Sequence, residues 1–70
     1  MNDNLLMALI ADSDNAYELV MKLKRLREAG YTHVKCNRSR VHIGKLMYEI
    51  VDMNKRGYKF SEILAELKRY

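Results

Sequence analysis

The seventy-residue sequence has no proline and no tryptophan, a single phenylalanine, a single cysteine and three glycines. Without proline, nothing forces a break in a helix. Three isolated glycines provide no glycine-rich phosphate loop. The lone thiol, Cys36, excludes an intrachain disulfide. Together with His33 and His42 it matches no standard zinc spacing, so neither a metal nor any other cofactor is expected. Cys36 has basic neighbours of the kind that lower a thiol pKa, but an inert thiol is the expected reading. No nucleophile, base and orienting carboxylate fall into a recognisable arrangement, and an enzyme is not expected.

Long apolar runs are missing too. No stretch approaches the roughly 18 residues of a membrane span. No basic side chain precedes the apolar run Leu5–Ala11, contrary to a secretory leader. A cytoplasmic protein that does not enter membranes is expected.

What the sequence does have is helical periodicity. Leu5–Ala11 is a short apolar segment that Asn2, Asp3 or Asn4 can cap. A second helix is expected over about Asp14–Ala29, capped by Asp12 or Ser13, with Ala16, Leu19, Val20, Leu23 and Leu26 on one face. A third, over about Arg40–Arg56, aligns Ile43, Leu46, Met47, Ile50 and Met53. Its exposed sides offer the i,i+4 pairs Lys45–Glu49 and Asp52–Arg56. A fourth runs from Ser61, as N-cap, to about Lys68, with Ile63, Leu64 and Leu67 inward and Phe60 placed as a staple against Ala65. Gly30 and Gly57 each follow a helix and precede a tyrosine, as two similar C-caps. Gly44 weakens the third helix or permits a close approach. The expected fold is all-α (mainly α): one domain over residues 1–70, a small bundle of three to four short helices. A short extended segment near Tyr31–Cys36 is allowed for, paired with the same segment of a second chain.

A chain this short buries only roughly 60% of its unfolded surface. Helix packing or self-association, including a homodimer, is therefore the expected source of stability. The five tyrosines and five methionines suit an adaptable core or an interface.

Charge is the most uneven property. Residues 1–20 carry Asp3, Asp12, Asp14 and Glu18 and no Lys or Arg. Residues 21–45 carry Lys22, Lys24, Arg25, Arg27, Lys35, Arg38, Arg40 and Lys45 against Glu28 alone. Residues 46–70 are nearly balanced, and the whole chain is +4. Within the basic third, Lys35–Lys45 sits around the expected start of the third helix, where the dipole prefers anions. An anionic partner would relieve that conflict. Arg38 and Arg40 offer forked donors, Lys35 and Lys45 point charges, and Asn37, Ser39 and open backbone N–H groups further phosphate ligands. Arg25 and Arg27 would widen the patch. The expected function is a small regulatory protein that binds nucleic acid, DNA foremost. The alternative is a modulator or inhibitor that docks its basic surface on an acidic partner protein.

One local likeness points the same way. Ile50–Arg56, the Gly57-Tyr58 turn, and Phe60-Ser61-Glu62-Ile63 with Leu67 resemble the first two helices of resolvase-like DNA-binding tails. That likeness covers under about a third of the chain and does not include the recognition helix. A second helix-turn-helix alignment takes Tyr17–Ala29 as first helix and Arg40–Met53 as recognition helix.

Overall fold

The computed structural model describes residues 4–70. Its elements run α1 (Leu5–Ala11), α2 (Ala16–Glu28), β1 (His33–Lys35), β2 (Arg40–His42), α3 (Ile43–Lys55) and α4 (Phe60–Leu67). The fold is mainly helical, as the periodicity predicts, with a small antiparallel hairpin in its middle.

Each expected apolar face is the buried face. Leu19 and Leu23 of α2, Ile43, Leu46 and Ile50 of α3, and Ile63 and Leu67 of α4 form one core with Leu6 and Ile10 of α1. Ala16, Val20, Leu26, Met47, Met53 and Leu64 pack around them. Helix α2 packs chiefly on α3, and α3 also supports α4 and the hairpin. None of the five tyrosines is buried. Of the expected core or interface placement, the core half is thereby corrected, with Tyr70 alone packed partly buried against it: a phenol needs a polar partner for its hydroxyl, and this core consists of aliphatic side chains and Cys36.

The helix ends show which capping residues prevail. Asn4 caps α1, its Oδ1 accepting from Met7 N–H at 3.0 Å; Asn2 and Asp3 lie outside the described residues. Helix α2 is capped by Asn15, which accepts from Glu18 N–H at 2.9 Å, and not by Asp12 or Ser13. Ser13 is instead buried, its hydroxyl donating to the Leu9 carbonyl at 2.7 Å. Helix α4 is capped two residues earlier than expected, by Lys59 in place of Ser61, and its first residue is Phe60. Phe60 is thus inside the first turn and packs against the core, so the staple geometry does not arise. Glu62 accepts from Lys59 N–H at 2.8 Å.

Gly30 and Gly57 adopt positive φ, 105° and 89°. In each case the following tyrosine donates its N–H back to the third-last helical carbonyl. Tyr31 reaches Leu26 and Tyr58 reaches Met53, both at 3.1 Å. These are Schellman endings, and they account for the sequence echo Gly-Tyr…Gly-Tyr.

The clearest departure from the expected fold lies at residues 37–42. Asn37-Arg38-Ser39-Arg40 is not a helix cap and entrance. Arg40–His42 is a strand, and α3 starts at Ile43. The extended segment is His33–Lys35, inside the expected Tyr31–Cys36 stretch, and it pairs within the chain, His33 opposite His42, Val34 opposite Val41 and Lys35 opposite Arg40. Val34, Cys36 and Val41 face the core. The second helix-turn-helix alignment fails for the same reason, since a hairpin separates α2 from α3. The α3–α4 pair does have its helix–Gly–helix form, over Ile43–Lys55 and Phe60–Leu67.

Candidate nucleic-acid interface

Strand alternation sorts the basic segment into two sides. Val34 and Val41 point inward. His33, Lys35, Arg40 and His42 occupy the other side, with Lys35, Arg40 and His42 exposed. Two bonds flank the ladder, Cys36 N–H to the Ser39 carbonyl, 2.7 Å, and Ile43 N–H to the Thr32 carbonyl, 2.9 Å. The pairs His33–His42 and Lys35–Arg40 therefore fall at non-hydrogen-bonded positions, where opposite side chains come closest. The two imidazoles meet edge to face, with centroids 5.2 Å apart and planes at 80°. Two cations stand side by side at the other position. Like charges directly opposite each other disfavour a hairpin modestly.

The apex, Cys36–Ser39, carries Asn37 and Arg38, both exposed. Among the described residues no non-glycine residue has positive φ, so the tip is not the tight Asn-Gly type of turn. Asn37 and Arg38 alone connect the strands beyond the Cys36–Ser39 bond, which places Arg38 at the end of the ribbon. Cys36 anchors the loop from below. Its thiol lies 3.5 Å from the Val34 carbonyl, and burial pushes its pKa up, only partly offset by a hydrogen bond with Val41 backbone. The basic neighbours do not activate it.

His42 joins the ribbon to the helix. It is the N-cap residue of α3, and its Nδ1 accepts from Gly44 N–H at 3.0 Å. A neutral imidazole that accepts at Nδ1 carries its proton on Nε2 and is a donor there. His33 Nδ1 lies 2.8 Å from Thr32 Oγ1, a hydroxyl able to donate or accept. Gly44 suits this arrangement: a Cβ there would stand 3.1 Å from His42 Nδ1, and the ring would have to give by a few tenths of an ångström. The close approach that Gly44 permits is thus to the capping ring. The cap also corrects part of the expected phosphate site. Ile43 N–H and Gly44 N–H are already engaged by the Thr32 carbonyl and the His42 ring, so these first two N–H groups of the helix are not open to a ligand.

Among the eight candidate residues, Lys35, Asn37, Arg38, Ser39 and Arg40 lie on the hairpin, and Lys45 follows in the first turn of α3. Arg25 and Arg27 are exposed in the last turn of α2, whose main packing partner is α3. Lys22 serves another purpose. Its ammonium lies 3.1 Å from the Asp12 carboxylate and also reaches the Asp12 carbonyl, tying α2 to the α1–α2 turn. Sequence reasoning placed His42 inside the Lys35–Lys45 run but missed His33 and the shared face of the two rings. The signal available was that both sit one residue from an inward valine.

Lys45 and Glu49 do not pair with each other. Lys45 Nζ stands over the Tyr70 ring, 5.3 Å from its centroid, and Glu49 accepts from the Tyr70 hydroxyl. Asp52 and Arg56 form the expected pair at 3.1 Å. Among the described residues no three His, Cys, Asp or Glu side chains are grouped as metal ligands, and no helix is long and apolar enough to cross a membrane. No family model, curated protein or solved structure matches this chain.

Proposed function

We propose that this chain is a nucleic-acid-binding protein, directed to duplex DNA, that uses the outward face and tip of its hairpin. The observation that carries the reading is the placement of His33, Lys35, Arg40 and His42 on one side of a two-stranded ribbon, with Arg38 at its apex. A two-stranded ribbon fits the roughly 12 Å major groove of B-DNA. Arg38 and Arg40 offer forked donors to guanine edges or phosphates, Lys35 and Lys45 point charges, and His42 an Nε2–H donor. Asn37 and Ser39 supply neutral hydrogen bonds at the tip. The chemistry is binding and not bond-making, and regulation by occupancy of a site is the role such a small binder fits. Arg25 and Arg27 add long-range attraction.

A salt series on duplex and single-stranded DNA tests the reading. Four cations in contact with phosphates give a slope of log K against log salt of about −3 to −4 on duplex. Arg38→Ala combined with Arg40→Ala is expected to flatten that slope by about 2 and to weaken binding on every sequence. Binding that stays flat with salt, or is unmoved by the double substitution, overturns the proposal. A tight salt-sensitive complex with an acidic protein, with no affinity for either nucleic acid, assigns the same face to a protein partner.

A further inference from the structure

A second surface sets charges of both signs among aromatic rings. Between α3 and α4 lies an open groove of about 370 Å³, within the few hundred Å³ usual for ligand clefts. Three of the five tyrosines line it, Tyr48, Tyr58 and Tyr70, together with the carboxylates of Glu49, Asp52 and Glu66. Tyr48 is 73% exposed. The two arginines of the lining are committed to carboxylates of their own helices, Arg56 to Asp52 at 3.1 Å and Arg69 to Glu66 at 3.3 Å. The wall thus combines aromatic faces with three carboxylates against two arginines, in a chain whose net charge is +4. Aromatic faces and carboxylates both favour a guanidinium. Lys45 over the Tyr70 ring shows one of these rings already holding a cation.

The same chain carries the complementary shape and charge: a narrow hairpin whose exposed apex is Asn37-Arg38 between Lys35 and Arg40. We propose that the α3–α4 groove receives the hairpin tip of a second copy of this chain, so that copies associate head to tail with Arg38 seated among the groove tyrosines and carboxylates. Such a contact is heterologous. It leaves one free tip and one free groove at the ends of every assembly and extends with concentration unless the rotation closes a ring. A tip seated in a groove buries less than a standard interface, so the association is weak and salt-sensitive. It rests on charge complementarity and does not depend on the nucleic-acid reading, although the two would compete for Arg38.

The test is sedimentation of the full-length chain over a concentration series, without nucleic acid. The mean mass of the wild type is expected to rise with concentration and to fall back with salt. Arg38→Glu, which damages the tip, and Tyr48→Ala with Glu66→Lys, which damages the groove, are each expected to weaken association at least about tenfold, the ratio that 1.4 kcal/mol gives. All three positions are exposed, so the variants are expected to fold, which circular dichroism checks. Mixed one to one, the two variants regain one intact tip–groove pair and form a dimer that grows no further. A wild type that stays monomeric at all concentrations, variants that associate like the wild type, or a mixture that stays monomeric each overturns the proposal. DNA affinity of the Tyr48→Ala, Glu66→Lys chain separates the two ideas: the groove variant is expected to keep it, whichever way the sedimentation falls.

Discussion

On the hairpin, a period of two puts valines on one side and cations with imidazoles on the other, so charge of one sign accumulates on a small face. Along the α3–α4 groove, a period of 3.6 sets acid and base one turn apart, so Asp52 pairs with Arg56 and Glu66 with Arg69, and Glu49 is left to the Tyr70 hydroxyl. The comparison teaches that net charge per segment does not determine where a field is strong. What matters is whether the local backbone brings like or unlike charges to the same side. Lys22, inside the most basic third of the sequence, is drawn into a turn contact with Asp12 and is not part of the hairpin face.

The largest expected effect breaks both regions together. Ile50 is fully buried on α3, the helix that supports α2, α4 and the hairpin. Ile50→Ala is expected to cost about 2–5 kcal/mol, against a total of roughly 4–10 kcal/mol for a domain of this size. Denaturant unfolding should show a large fall in midpoint. A loss under about 1 kcal/mol would mean that the ribbon and the groove do not depend on one common core.

Next in size is a change at the residue the two regions share. The backbone of His42 belongs to β2 and its ring caps α3. His42→Ala is expected to cost about 1 kcal/mol through the lost cap. In that background Gly44→Ala should recover up to about 1 kcal/mol of helix propensity, because no ring opposes the new Cβ. In the wild type the same Gly44→Ala must displace the ring and gains less. Additivity of the two substitutions in a double-mutant cycle would show that the cap does not hold in solution.

Much of this fold is legible in the sequence, and the hairpin is the part that is not. Helices announce themselves because Leu19, Leu23, Leu46 and Ile50 recur over several turns. The strands have three residues each, so Val34 and Val41 are single inward positions, too few to declare a period of two. Ile43 starts α3 immediately after β2, and Val41 and Ile43 together read as the first turn of one longer helix. Asn37 and Ser39 read as caps because the same side chains serve loop tips. The basic residues of the site were identifiable by type, but their shared face follows from the pairing register. The groove was hidden for another reason: Glu49 and Tyr70 meet across 21 residues, and no local pattern encodes that.

The smallest expected effect sharpens the groove side of the comparison. Tyr70 gives its hydroxyl hydrogen to the Glu49 carboxylate, and its pKa is pushed from 10.0 up to about 12, first by desolvation and then by that hydrogen bond and the Glu49 charge. A raised folded-state pKa means that the protonated phenol is the form the fold favours. Its contribution is fully present below the unfolded value near 10 and is lost as pH climbs through about 12. Tyr70→Phe is therefore expected to lower stability at neutral pH by about 1 kcal/mol or less, since the pair is only partly buried. The gap between wild type and Tyr70→Phe should then shrink between about pH 10 and pH 12. Taking the difference between the two chains cancels the titration of the other tyrosines and the lysines. Parallel unfolding curves for both over that range would mean that the phenol is not held by Glu49, and that the wall of the groove nearest Lys45 is looser than the rest.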